Sequence, residues 1–553
     1  MAVNAIFKPG ASHGFYPQNL APAPAALELW LANTLGKLPS ISRARHYRLS
    51  RIVSKIDTVA EGLVGTSEQE LQTKLRSVRE RLLRDGLQPQ HIFSSFALIR
   101  EISGRILNMR HFDVQLFGAW ALVNGNMVEM ATGEGKSLTA TLAAGCAALA
   151  GIPVHVITTN EYLGTRDAAE MRPLYEALGL SVSAITEDMQ DDAKRVAYQS
   201  DVVYCTNKQI AFDYLRDRLQ MGNESGRAVV QFNAEHCAGK PLLRGLCFAI
   251  IDEADSVLID EARTPLIITK EQKDPQQQRI YIQALEFAQA MREGRDYVVL
   301  QREHRVNLSR SGRDWLEEKT AQMEGIWQGA RRRQFLVQQA LVALHLYQRD
   351  KHYLLREGEV QIIDQNTGRV MADRSWEQGL QQMIECKEEC ELSGQRETLA
   401  RISYQRFFRR YLRLAGMSGT LQEVKHELWT IYRQRMIQVP RHKASRLTIA
   451  PDRIYRRASD KWLAIVARIK VLHESGRPLL IGTCSVADSE LLSRVLRQNN
   501  LPHRVLNARQ DHEEAEIVAT AGQGGSITVA TNMAGRGTDI KLGIGVEELG
   551  GLA

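Results

Sequence analysis

The segment Met130-Ala131-Thr132-Gly133-Glu134-Gly135-Lys136-Ser137 constrains the fold more than any other part of the chain. It follows a short apolar run, 127–130, and opens a helix-forming run from Leu138 to Ala150. A strand, a glycine-rich turn and a helix start in immediate succession make a phosphate cradle. The first N–H groups of a helix have no intrahelical acceptor, and the helix dipole favours an anion there. Gly133 and Gly135, on either side of Glu134, let the backbone approach that anion without a Cβ in the way. Lys136 is suited to the β- and γ-phosphates of a nucleotide and Ser137 to Mg²⁺. Met130 stands where the common pattern has its first glycine, and Gly-Lys-Ser by itself also occurs at ordinary turns. The run Phe248-Ala249-Ile250-Ile251-Asp252-Glu253-Ala254-Asp255 narrows the choice, because it reads as a strand buried on both faces that ends in carboxylates. Ligands of open α/β sheets sit at that end of the strands. Asp252 is then placed to hold hydrated Mg²⁺ and Glu253 to orient or deprotonate an attacking water.

The surrounding pattern predicts an α/β chain with two parallel-sheet domains. Apolar strand runs alternate with helical segments at 154–158, 182–185, 202–205 and 248–251, and again at 478–481, 503–506 and 526–530. Ahead of the first set, residues 41–110 carry helical spacing, with Leu71, Leu75, Val78 and Leu82 on one stripe. Residues 1–40, rich in Pro and Ala, read as a poorly ordered arm with one short helix at 25–35. After Ile268 the texture changes to a polar loop and then to strands at 297–300, 353–355 and 360–363 between helices, the mark of an inserted α+β domain. The expected organisation is an arm at 1–40, a helical lead-in and first nucleotide-binding parallel-sheet domain at 41–268, an insert at 269–390, a return to the first domain at 391–420, and a second, truncated parallel-sheet domain at 421–553.

A chain of 553 residues is long enough for several cores, and 44% apolar with 24% charged residues is the balance of a globular protein in water. A net charge of +7 permits an anionic partner such as acidic lipid or nucleic acid without requiring one. The N-terminus lacks the architecture of a secretory signal. The longest apolar stretch, Leu138 to Ile157, is broken by Gly151, Pro153 and His155, which argues against a membrane span. Seven scattered cysteines suit a reducing, cytoplasmic compartment. Cys146, Cys205, Cys247 and Cys484 sit in apolar runs as expected core residues, and Cys386 and Cys390 fall four apart, as on one helical face.

Further segments extend the nucleotide reading into that of a superfamily-two motor. Gln115, in Met109-Arg110-His111-Phe112-Asp113-Val114-Gln115, offers a donor and an acceptor side by side, suited to an adenine edge. Thr158 to Leu163, Tyr204 to Asn207, Ala415-Gly416-Met417-Ser418-Gly419-Thr420 and Thr531-Asn532-Met533-Ala534-Gly535-Arg536-Gly537-Thr538-Asp539-Ile540 follow in order. In the last of these Asp539 is suited to the ribose, and Arg536 to phosphate or to acidic groups across a cleft.

At these residues, and at Phe212 to Asp217 and Ile259 to Leu266, the sequence resembles the SecA family, ATPases that drive preproteins through the bacterial Sec channel. The resemblance runs from about residue 45 to about residue 545. It implies two RecA-like motor domains, with ATP and Mg²⁺ as cofactors. It implies nucleotide contacts at Gln115, at Gly133 to Ser137 and at Asp539, and it makes the insert a preprotein-crosslinking domain. It also implies as partners unfolded preproteins, a SecYEG-type channel and anionic membrane lipids, with homodimers as one assembly of the family. The corresponding location is the cytoplasm and the cytoplasmic face of the inner membrane. Ala254 departs from the family and makes the acidic motif literally Asp-Glu-Ala-Asp, as in many RNA helicases. After Lys541-Leu542-Gly543 the family continues with an arginine-rich motif, scaffold and wing domains that this sequence does not contain. That difference implies a second sheet with an unpaired edge or without a covering helix, and a chain that alone turns over poorly and tends to aggregate, or else relies on a partner. Two alternatives stand beside a translocation motor: a nucleotide- or preprotein-binding remnant with little turnover, and a nucleic-acid helicase. The insert and the lack of a dense basic and aromatic track argue against the helicase.

Overall fold

Seven strands form one all-parallel sheet, and the nucleotide motifs hang from one end of it. The computed structural model describes residues 16–19, 43–221, 241–262, 265–272, 275–300, 303, 305–349, 352–356, 358–363, 370–371, 376, 379–390, 392–393, 395–506, 517–518, 520–531 and 540–553. In chain order the first strands are β1 (Met127–Glu129), β2 (Val154–Thr158), β3 (Val182–Ala184), β4 (Val202–Thr206) and β5 (Phe248–Asp252). Across the sheet the order is Met436–Gln438, β1, Arg413–Ser418, β5, β2, β4, β3. β2 and β4 are buried at every residue, which is why both read as unbroken apolar runs.

Strand Arg413–Ser418 was not legible as a strand, yet it lies inside the sheet between β1 and β5. Its middle residues, Ala415 and Gly416, have low strand preference. Packing explains them. A Cβ on Gly416 would lie 2.8 Å from the Ala254 Cβ and 3.0 Å from the Met127 sulfur, so only a glycine fits. Its register sets Gly416 beside Ile251 and Met417 beside Asp252.

Helices Arg43–Glu61, Glu68–Asp85, Pro89–Ile106 and Asp113–Val123 lead into this sheet. The second buries the expected stripe Leu71, Leu75, Val78 and Leu82. It starts at a capping box, in which Glu70 N donates to the Ser67 hydroxyl at 3.3 Å and Ser67 N to the Glu70 carboxylate at 3.1 Å. Among the described residues no helix is long and apolar enough to cross a membrane.

The N-terminal arm departs from expectation at residues 16–19; its expected helix at 25–35 lies outside the described residues. Tyr16 and Gln18 are buried. Tyr16 Oη donates to Asp217 Oδ2 at 3.1 Å, the Tyr214 hydroxyl donates to Gln18 Oε1 at 3.1 Å, and Leu246 N donates to the Pro17 carbonyl at 2.7 Å. A Cβ on Gly245 would fall 2.5 Å from Pro17, so that glycine admits the segment. A proline-rich composition weakens local structure but does not prevent a short extended piece from docking where hydrogen-bond partners wait.

Asp217 has no exposed side-chain surface and accepts N–H bonds from Leu242 at 2.7 Å and Leu243 at 2.9 Å. Burial pushes its carboxyl up to about 6 against the opposing pull of those donors. A carboxyl raised in the folded state binds its proton more tightly there than in the unfolded chain. Its contribution is therefore most favourable below about pH 4 and declines as the pH rises through about 6. The unfolding free energy of the parent minus that of Asp217→Asn is expected to fall by on the order of 3 kcal/mol across that window. Denaturant titrations of both proteins at a series of pH values check this; a difference that stays flat with pH would show that Asp217 ionises as easily folded as unfolded.

Residues 267–401 form a separate compact unit. It contains helices Pro275–Ala290, Arg310–Thr320, Ala330–His345 and Leu380–Lys387 with antiparallel strands Tyr297–Leu300 and Arg305–Leu308, and Tyr353–Arg356, Glu359–Ile363 and Val370–Met371. Tyr297, Leu316, Trp327, Leu341, Tyr353 and Met383 belong to its own core. Strands Pro265–Gln272 and Gln395–Ser403 pair at its entry and exit. That pairing carries the unit to 401, past the expected return at 391. Cys386 and Cys390 do not share a helical face: the helix ends at Lys387, and Glu389 takes a positive φ of 53° before Cys390.

The C-terminal part of the chain, which belongs to the same unit as the first sheet, carries a second parallel sheet, in the order Leu479–Thr483, Ile527–Thr531, Arg504–Leu506. Val466, Leu492, Leu496 and Val529 form its core with helices Ala458–Glu474 and Val486–Gln498. Beside Leu479–Thr483 the chain end adds two bonds, Leu480 N to the Ala553 carbonyl at 2.9 Å and Ala553 N to the Pro478 carbonyl at 3.0 Å, while Arg504–Leu506 is the opposite edge strand and pairs only with Ile527–Thr531. Cys484, expected in a core, is exposed, because the strand ends at Thr483 and Ser485 already caps the next helix.

Candidate nucleotide site

The phosphate cradle is built where β1 gives way to the helix Lys136–Leu149. Gly133 and Gly135 take positive φ values of 82° and 79°, which turn the chain so that the helix begins at Lys136. A Cβ on Gly135 would lie 2.4 Å from Gln115 Nε2, while one on Gly133 would meet nothing; glycine is a packing requirement as well as a turn requirement only at Gly135. Thr139 closes the first helical turn, since its N–H and its hydroxyl each donate to the Gly135 carbonyl at 2.9 Å. His111 braces the same turn from behind through Nε2 to the Leu138 carbonyl at 3.0 Å. Burial lowers its pKa to about 4, so it stands there as a neutral ring.

Three further segments converge on this turn. Lys136 Nζ forms an ion pair with Glu253 Oε1, with both side chains largely buried. Glu253 holds an uncommon left-handed backbone, φ 51°, at the residue after β5, which bends the chain toward the P-loop. Its second oxygen accepts the Ser418 hydroxyl at 3.2 Å. The Thr420 hydroxyl donates to Asp255 Oδ2 at 2.5 Å, so the end of strand Arg413–Ser418 is tied to both acids that flank Ala254. Asp252 accepts the Glu253 N–H at 3.1 Å. Burial, joined by the charges of Glu253 and Asp167 and opposed by Lys136, raises its carboxyl to about 6. The Ser137 hydroxyl donates to Asp167 Oδ2 at 2.9 Å.

Gln115 is buried, and both ends of its carboxamide are engaged: Oε1 accepts Phe112 N at 2.9 Å and Nε2 donates to the Glu134 carbonyl at 2.8 Å. It braces the P-loop backbone, which leaves one N–H and one lone pair for any other partner. The Glu134 carboxylate accepts the His442 N–H at 3.0 Å, and the His442 ring stacks on Phe112 with centroids 3.9 Å apart. Arg536 and Asp539 lie outside the described residues.

Ser137, Asp252 and Glu253 present hard oxygen donors, which suit Mg²⁺. Among the described residues no three His, Cys, Asp or Glu side chains converge to hold an ion by themselves. Mg²⁺ asks for no such cage, because phosphate oxygens and water complete its shell. Asp167, Ser418 and Thr420 escaped identification as site residues. The signal for the last two was the hydroxyl pair Ser-x-Thr directly after an apolar run; Asp167, in mid-helix, carried none.

Residues 36–429 match the family model described as SecA DEAD-like domain, and residues 446–550 the one described as SecA P-loop domain. Similar proteins include Protein translocase subunit SecA 2 of Nitrosospira multiformis, 47% identical over 97% of this chain and 81% of that protein. Protein translocase subunit SecA 2 of Bordetella avium is 48% identical over 95% of this chain and 80% of its own length. Protein translocase subunit SecA of Neisseria gonorrhoeae is 41% identical over 90% of this chain, which spans 54% of that longer protein.

Proposed function

The chain belongs to the SecA family, and from that premise we propose that it is an ATP-driven motor that moves unfolded preproteins through a SecYEG-type membrane channel. One observation supports the ATPase part above all: Lys136 at the start of the P-loop helix meets Glu253 at the end of β5, although 117 residues separate them. The N–H groups at the start of helix Lys136–Leu149 receive the β-phosphate, and Lys136 leaves Glu253 for the β- and γ-phosphates. Ser137 and Asp252 would hold Mg²⁺, which would supply positive charge to offset the negative charge of the phosphates. Glu253, released by Lys136 and steadied by Ser418, orients a water in line with the γ-phosphorus and takes its proton as the new P–O bond forms. The bond to the bridging oxygen breaks, and ADP departs with the electron pair. Gln115 keeps the P-loop in shape and offers its remaining N–H and lone pair to adenine. Asp539 serves the ribose and Arg536 the phosphates.

Residues 267–401 serve as the preprotein-gripping domain in this reading, and the net charge of +7 suits an anionic lipid surface. The membrane-peripheral cytoplasmic location and the family's homodimer belong to the same proposal. ATP hydrolysis measured with an unfolded preprotein, and separately with single-stranded RNA, tests it. Preprotein is expected to accelerate turnover and RNA to leave it unchanged. Acceleration by RNA alone would make the chain a helicase. Nucleotide binding with no stimulated turnover would make it a binding remnant.

A further inference from the structure

We propose that Asp167 is the positioning residue that aims the Ser137 hydroxyl at Mg²⁺, an inference that rests on the nucleotide reading of the P-loop. A serine hydroxyl has one proton and two lone pairs. To coordinate a cation through its oxygen it must send the proton elsewhere, and a fixed acceptor behind it makes that orientation permanent. Asp167 supplies that acceptor from helix Glu161–Ala177, thirty positions along the chain. Its Oδ2 stands 2.9 Å from the Ser137 oxygen.

The carboxylate is itself held. Arg166 places Nε at 3.0 Å and Nη2 at 2.7 Å from Asp167 Oδ1, which leaves Oδ2 to Ser137. Asp167 is 5% exposed, so its rotamer is set by packing as well as by these bonds. Arg166 offsets the carboxylate charge in a neighbourhood that already contains Asp252 and Glu253. The helix that carries Asp167 starts right after β2, capped by Asn160, whose side chain accepts Leu163 N at 2.8 Å. β2 is hydrogen-bonded to β5, so the orienting carboxylate and the acidic pair hang from neighbouring strands. The work at the metal is thereby divided: Asp252 faces the hydrated ion, and Asp167 acts through Ser137 from the outer shell.

A structural pin for the helix would share this burial but would not single out the metal. Binding of a fluorescent ADP to the full chain, in excess Mg²⁺ and in EDTA, separates the two. Asp167→Ala, which removes the acceptor altogether, is expected to weaken binding about tenfold to a hundredfold in Mg²⁺, the usual cost of an outer-shell change, and to leave binding in EDTA unchanged. Ser137→Ala is expected to show the same selective loss, and the double variant no more than either single one. Mn²⁺ paramagnetic resonance on the ADP complex reads the metal directly and should show the same weakening. Equal losses with and without Mg²⁺, or losses that add in the double variant, would overturn the proposal. Should Asp167→Ala not fold, Asp167→Glu keeps the charge, moves the carboxylate by one methylene and carries the same comparison. Lys136→Ala is the control: if it binds ADP like the parent, the nucleotide reading itself fails; if it does not and Asp167→Ala lacks the Mg²⁺-selective loss, only this inference fails.

Discussion

Lys136→Ala is expected to remove most ATP binding. A charge-assisted contact from a lysine to phosphate contributes about 2–3 kcal/mol, or on the order of 30- to 150-fold in Kd. The loss here should lie at the upper end, because Lys136 also neutralises Glu253. Without it, a largely buried carboxylate stands where the γ-phosphate must approach, and the two negative groups repel. The same change costs stability, about 3–5 kcal/mol by the rule for breaking a buried ion pair, so thermal unfolding must accompany the titration. Calorimetric titration of a folded Lys136→Ala protein with ATP and Mg²⁺ reads the effect. Parent-like affinity would mean that the cradle at 131–137 binds something other than the triphosphate.

Glu253→Gln is expected to separate binding from hydrolysis. Glutamine has nearly the shape of glutamate and can still accept the Ser418 hydroxyl, so the loop geometry survives. It cannot take a proton from water, and loss of a positioned general base costs about 10²- to 10⁴-fold. It also releases Lys136 from its ion pair, so ATP should bind at least as tightly as to the parent. Single-turnover hydrolysis beside an equilibrium titration tests both halves. Hydrolysis at the parent rate would make Glu253 a partner of Lys136 and no more, with the base elsewhere.

Much of this site could be read from the chain because its parts are local. Gly133 to Ser137 shape a turn and a helix start from adjacent residues, and Asp252 and Glu253 close a run whose apolar character already marks a buried strand. Gln115 illustrates a different case. Its chemistry was legible, but its engagement was not: the carboxamide is committed to the Phe112 N–H and the Glu134 carbonyl, a bond made across helix and loop. The arm at 16–19 is similar, since its docking depends on an acceptor at Asp217 and a gap at Gly245.

The sequence by itself determined the strand, turn and helix of the phosphate cradle, the alternation that builds parallel sheets, and the helical stripe from Leu71 to Leu82. These follow from patterns within a few residues, where backbone preference and hydrophobic period act directly. Only the tertiary structure decided that Arg413–Ser418 lies between β1 and β5, that Ser418 reaches Glu253, and that Asp167 stands behind Ser137. Each of those joins residues far apart in the chain. Such contacts depend on which strands become neighbours and on where a missing Cβ, as at Gly416, lets them approach.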